Sequence, residues 1–333
     1  MHEKVPSMAD NHLPGMSHRK ALGIALPVLG AEYPNLVVLS PDVGPSTQAI
    51  RFKDFYPRRY FCTGISEQNT LGMASGLAAS GWISIVAGYA IFVGGKAWEQ
   101  IRNTIAYPHL NVKIVATHAG INVGADGVTH QAIEDIALMR AIPGMTVLAP
   151  TDGNQVLPVL RAAMNIDGPV YIRLEREPIP TLTVDGAPYA IGESCKLADG
   201  KAATVFAIGS MVAAALEASE ALRAEGLDVG VTSMVSLKPL DEGAVIRAAL
   251  QTGAIVTAED HNQYGGLGSA VAETLAKHAP VPLEQVAVPD TFAESGTAAD
   301  LRTKYHLTAG DIVLAVKRVV ARASSARETE KQK

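Results

Sequence analysis

The sequence predicts an α/β protein of two domains, each a mainly parallel sheet flanked by helices. Three observations carry this. Short apolar runs alternate with helical patterns along the chain, the signature of βα units and parallel sheets. The 333 residues suffice for two domains at about 100–200 residues each. A polar stretch between Glu177 and Gly200, with Pro178, Pro180 and Pro188, interrupts the alternation and reads as a linker. The expected organisation is an N-terminal extension (1–17), a first domain (18–178), a linker (179–200), a second domain (201–324) and a charged tail (325–333).

In the first domain, Ser17 caps a helix over 19–33, with Ala21, Ile24, Ala25 and Leu29 on one face and Pro27 as an internal kink. Residues 36–39 and 60–63 read as strands, 67–79 as a helix and 83–87 as a strand. Helix returns over 92–106 and stops before Pro108. A strongly apolar strand follows at 112–116, then a helix at 131–140, a strand at 146–148, a helix at 154–164 and a strand at 170–173. Beyond the linker, strands are expected at 203–208, 229–235, 254–258 and 286–288. Helices are expected at 211–225, 242–250, 269–278 and 309–322.

Composition bounds the function. With 48% hydrophobic and 18% charged residues the chain fits a globular protein and not a disordered one. A net charge of −5 argues against nucleic-acid binding, which needs a basic face. Cys62 and Cys195 are too few for a disulfide or metal framework, so a reducing, cytoplasmic setting is expected. Cys62 reads as a buried strand residue. Residues 1–16 lack the apolar core of a signal peptide. Residues 68–95 carry no charge, but six glycines and Ser80-Gly81 divide them into buried globular elements, not a membrane span.

Several residues could carry chemistry. Glu67 precedes the uncharged stretch. It is either a solvated helix start favoured by the dipole or a carboxylate in apolar surroundings that needs a partner. Tyr89 and Phe92 follow, and by pattern alone they fit an aromatic core. His118 ends a strand, where ligands of open α/β sheets bind. Asp126 and His130 lie on the Gly-rich loop 124–131. No further ligands at zinc spacing accompany them. Gly265-Gly266-Leu267-Gly268-Ser269 opens a helix but does not match a dinucleotide fingerprint, and a tight turn into the helix is expected.

Together these residues resemble the second half of the transketolase family of thiamin-diphosphate enzymes, over nearly the whole chain after residue 17. The likeness is carried by Gly64-Ile65-Ser66-Glu67-Gln68-Asn69, by Tyr89 to Phe92, and by Gly124 to Gln131 with the run that continues to Pro150. In the second domain, Leu237-Lys238-Pro239-Leu240-Asp241 and Glu259-Asp260-His261-Asn262 also fit. The 124–131 loop is similar to transketolase and 1-deoxyxylulose-5-phosphate synthase, and separates the chain from pyruvate-dehydrogenase beta subunits.

The resemblance implies roles. Glu67 is the catalytic glutamate that contacts the cofactor's aminopyrimidine ring. Phe92 stacks on that ring and Tyr89 lies beside it. Asp126 contacts a donor hydroxyl, and His130 binds near the donor carbonyl and handles protons. Arg19, Ser46, His118 and Arg173 line a sugar-phosphate pocket, where the planar guanidinium fork suits phosphate. The family's Gly-Asp-Gly motif with its later Asn is missing, so the chain is expected to hold no metal itself. It resembles the smaller subunit of a split transketolase, moving a two-carbon ketol unit between sugar phosphates. Thiamin diphosphate would bridge to an N-terminal-section subunit that holds most of the Mg2+ shell, in an α2β2 assembly. A 1-deoxyxylulose-5-phosphate synthase-like reaction, a specialised sugar and a non-catalytic structural role are the alternatives.

Overall fold

The computed structural model describes residues 15–331. Residues 1–14 of the expected extension lie outside the described residues. The first sheet contains β1 (Leu36–Ser40), β2 (Tyr60–Cys62), β3 (Ile83–Tyr89), β4 (Val112–Thr117), β5 (Thr146–Leu148) and β6 (Val170–Arg173). The second contains β7 (Cys195–Ala198), β8 (Ala203–Ala207), β9 (Val229–Ser233), β11 (Ile255–Asn262) and β12 (Leu283–Val288), while β10 (Ser236–Lys238) joins the first. The orders are β10-β5-β6-β4-β3-β1-β2 and β12-β11-β8-β9-β7. All pairs are parallel except those of one edge strand in each sheet, β10 on β5 and β7 on β9.

The central strands form because they are apolar on both faces. Every residue of β1, β4 and β6 is buried, and each covered Val, Ile or Leu contributes about 1.5–3 kcal/mol. Helices His18–Glu32 and Gly153–Met164 cover one face of the first sheet, and Glu67–Ala79 and Asp135–Arg140 cover the other. Ser17 caps the first of these through its Oγ and the Lys20 amide, 3.4 Å apart. One apolar cluster runs from Val86, Ile114 and Val147 to Phe206, Ile255 and Leu267, so the two domains share a core. No helix among the described residues is long and apolar enough to cross a membrane.

Several expectations change. The helix expected at 92–106 is split into a π-turn (Ile91–Lys96), a short α segment (Trp98–Gln100) and a second π-turn (Ile101–Ala106). The amide of Ala97 reaches back five residues to the Phe92 carbonyl at 3.2 Å. The helix expected from residue 131 starts at Asp135, because Gln131 and Ala132 bond to the preceding loop instead. The stretch read as linker contains β7. The last helix continues to Lys331 where a tail was expected. Cys62 is exposed, not buried. It ends the short edge strand β2, and its Sγ lies 3.5 Å from Asp42 Oδ1.

Candidate active site

Parallel strands deliver their carboxyl ends to one rim, and the loops there collect the polar side chains. Ser46 follows β1, Glu67 follows β2, Tyr89 ends β3 and His118 follows β4. Arg19 joins them from the start of the first helix, donating to the Ser46 carbonyl at 3.4 Å.

Glu67 is buried, at 4% exposure, on the first turn of its helix. Its Oε2 accepts a 2.7 Å bond from Lys96 Nζ. The partnered carboxylate is thus the correct reading of this residue, and Lys96, which the sequence did not single out, is the partner. The π-turn that carries Phe92 also supplies Lys96. Such turns occur often at functional sites. The lysine remains half-exposed, so the carboxylate's cation sits on a movable side chain. The outward face of this helix carries Gln68, Asn69, Gly72, Met73 and Gly76, all exposed and uncharged, with Ile65 80% exposed just before it.

His118 is buried with φ of 59°, a left-handed conformation uncommon for a residue with a side chain. A directed hydrogen-bond chain fixes it. Tyr89 Oη donates to Ser46 Oγ at 2.6 Å. Ser46 Oγ lies 3.4 Å from His118 Nε2, and His118 Nδ1 lies 2.8 Å from Thr117 Oγ1. Thr117 Oγ1 donates in turn to the Gly88 carbonyl at 3.3 Å. Because Tyr89 donates at one end and Thr117 at the other, the network assigns the proton to Nδ1 and makes Nε2 an acceptor. The Tyr89 ring covers the imidazole at 3.9 Å between centroids. Burial, helped by the Arg176 and Arg19 charges and by His130, pushes the His118 pKa down to about 3. It is neutral at pH 7.

His130 approaches Phe92 edge-on at 5.1 Å between ring centroids, and its Nδ1 lies 3.0 Å from Thr129 Oγ1. Asp126 is exposed and pairs with Arg176 at 3.5 Å. Arg176 also donates to the Val123 carbonyl at 2.6 Å. Ser46, Tyr89, Phe92, His118 and His130 therefore converge, with Arg19 and Arg176 as flanking cations. Among the described residues no three His, Cys, Asp or Glu side chains converge to hold a metal.

Arg173 does not reach this cluster. It is buried inside β6, paired with Asp135 at 3.1 Å, and donates to the Asp260 carbonyl at 2.7 Å. A guanidinium enclosed in this way has no face for a sugar phosphate. Arg176, three residues further and past the end of the strand, holds the position that the sequence reading gave to Arg173. The signal was available: a loop begins there, and ligands meet loops. The helix start at Leu267 is filled from within. Glu259 accepts from the Leu267 and Gly268 amides at 2.7 and 2.8 Å. A cavity of about 910 Å³, lined by Lys196, Thr232, Asp241 and Arg247, lies on the second sheet and shares no residue with the cluster.

Comparison with known proteins agrees on both halves. The family described as transketolase, pyrimidine binding domain, matches residues 14–181, and transketolase, C-terminal domain, matches 192–312. A 6-deoxy-6-sulfo-D-fructose transketolase subunit of Clostridium sp. (strain MSTE9) is 40% identical, covering 86% of this chain and 89% of its own. The 1-deoxy-D-xylulose-5-phosphate synthase of Pelotomaculum thermopropionicum is 33% identical, over 90% of this chain but 47% of that protein. A solved structure described as a split gene transketolase, inactive beta4 tetramer, superposes with a TM-score of 0.86 at 44% identity, over 93% of this chain and 99% of that one.

Proposed function

The chain belongs to the transketolase family, and from that premise we propose that it is the pyrimidine-binding subunit of a two-component transketolase. In this reading it moves a two-carbon ketol unit between sugar phosphates, with a separate N-terminal-section subunit in an α2β2 complex. The observation that carries the proposal is the buried Glu67 carboxylate held beside the π-turn of Phe92, on the same rim as the His118 cluster. The description of the 44%-identical chain as a split-gene, inactive β4 tetramer supports the need for a partner. The uncharged outer face of the helix Glu67–Ala79 is the surface we assign to that partner.

Thiamin diphosphate is the cofactor this reading requires, with Mg2+ held mainly by the partner. The residues present fit its pyrimidine half: a buried carboxylate and a half-buried aromatic ring lie on packed neighbouring elements. When bound, the cofactor supplies the nucleophilic carbon that carries the two-carbon unit. Glu67 would bond the pyrimidine ring nitrogen, and Lys96 keeps that carboxylate in place beforehand. Phe92 would stack on the ring, an arrangement worth about 0.5–1.5 kcal/mol beyond area burial. Neutral His118 offers Nε2 as an acceptor to a substrate hydroxyl once Ser46 yields it. Asp126 and His130 would contact the donor sugar. Arg19 and Arg176 would hold a phosphate, which explains how a chain of net charge −5 takes an anion.

The test is co-expression with an N-terminal-section subunit, followed by a ketol-transfer assay with thiamin diphosphate and magnesium. Transfer by the complex and none by the chain alone is the expected result. Full transfer by the chain alone would overturn the two-component reading. Full activity of the complex with Glu67→Gln would overturn the catalytic role in favour of a structural one.

A further inference from the structure

The second domain contributes no side chain to the cluster on the rim, yet it grips the loop that carries Asp126 and His130. Asp260, toward the carboxyl end of the second sheet's β11, is 1% exposed. Its Oδ1 accepts from the Ile121 amide at 2.8 Å and its Oδ2 from the Asn122 amide at 3.2 Å. These are the first two amides of the turn Ile121–Asp126. The chain reaches Asp260 so closely that a Cβ on Gly120, where φ is +79°, would lie 2.3 Å from Oδ2.

The same loop is held further along. Asn122 Nδ2 donates to Glu175 Oε2 at 3.2 Å and to Ser210 Oγ of the second domain at 3.0 Å. A Cβ on Gly127 would lie 2.5 Å from Ser295 Oγ. Gln131 Nε2 donates to the Glu294 carbonyl at 3.0 Å. The loop is thus fixed at its start, middle and end from across the domain boundary.

We propose that Asp260 is a positioning residue for the donor sugar: from the second domain it fixes the turn that sets Asp126 and His130 at the site. This rests on the donor-binding role proposed above for those two residues. The chemistry is specific to a carboxylate. Two adjacent N–H groups point at one anionic group, and charge-assisted bonds of this kind are about twice as strong as neutral ones. An isosteric amide keeps one acceptor and turns an NH2 group toward the second amide, so donor faces donor.

The experiment compares Asp260→Asn, and Gly120→Ala as the same contact altered from the loop side, with Leu222→Ala. Leu222 is buried on helix Met211–Ala224 of the second domain and makes none of the hydrogen bonds that hold the loop. In the complex with the N-terminal-section subunit, both contact variants are expected to raise the donor KM at least about tenfold. The acceptor KM and thiamin-diphosphate affinity, read by fluorescence titration, should stay within about twofold. Hydrogen exchange at Ile121 and Asn122 should quicken at least about tenfold. Leu222→Ala should lower Tm without moving the donor KM. Unchanged exchange, or a donor KM no higher than in Leu222→Ala at matched loss of Tm, overturns the proposal while the activity itself stands. A wild-type complex that transfers nothing overturns the functional reading and the donor role with it. If Asp260→Asn does not fold, Gly120→Ala decides by the same criteria.

Discussion

Glu67 in the first domain and Glu259 in the second are both buried beside helix starts, and they are served differently. Glu259 is fully enclosed, and both of its oxygens are taken by backbone amides of Leu267 and Gly268. No side chain fits at Gly266, where a Cβ would lie 2.1 Å from Glu259 Oε2. Glu67 is nearly as buried, but its bond runs to a lysine side chain that is half in solvent. Backbone amides cannot leave without unwinding the helix, whereas a lysine can swing away. A carboxylate tied to backbone serves the fold; one tied to a movable cation is free to exchange partners.

The strongest way to break this contrast is to neutralise each carboxylate. Glu67→Gln should lower transfer by the complex about 10²–10⁴-fold, the range for a lost proton-handling group, with little change in urea unfolding. Glu259→Gln should do the opposite. It leaves the Leu267 or Gly268 amide facing a donor and should cost about 1–3 kcal/mol of stability, with kcat of the folded fraction unchanged. Inverted results would show that the two sites had been assigned the wrong way round.

Lys96→Met sharpens the comparison. It strands a buried charge, but Lys96 is half-exposed and water is near, so the expected loss in urea unfolding is about 1 kcal/mol or less. The last test concerns His118, whose two ring nitrogens meet side chains, Ser46 Oγ and Thr117 Oγ1. Its pKa of about 3 in the fold lies below the 6.5 of the unfolded chain. Its contribution to stability is therefore complete above pH about 6.5 and is lost as pH falls toward about 3. Between pH 7 and 8 its NMR shifts should not move; a titration near pH 6.5 would break the assigned network.

Much of the frame was readable because local signals agreed. Helix Glu67–Ala79 has the predicted bounds, since Ser66 and Ser80-Gly81 punctuate it. Strands β5 and β6 also match, being short apolar runs between turns. The π-turns were not readable, because a 3.6-residue period does not register one extra residue per turn. β7 and β10 were missed because both are short and neither is an apolar run: Cys195–Ala198 and Ser236–Lys238 each carry a lysine. The site shows the same divide. His118 was placed by the end of its strand, but Ser46 is 72 residues away in sequence and is bonded to it only in the fold. Arg173 and Arg176 are chemically identical as letters. What separates them is Asp135, which closes over Arg173 alone.

The strand β10 has a consequence for how this chain can be divided. It comes after the second domain has begun, yet it pairs antiparallel with β5 and forms the border of the first sheet. Lys238 adds bonds from Nζ to the carbonyls of Arg140 and Ile142. A fragment cut in the proline-rich stretch would keep every residue of the rim cluster but lose its outermost strand. The β5 edge would then stand open, a template for pairing with other copies. The modules that look separable along the sequence are thus not separable as proteins. A fragment ending near residue 190 should self-associate in light scattering, where the full chain pairs that edge with its own β10.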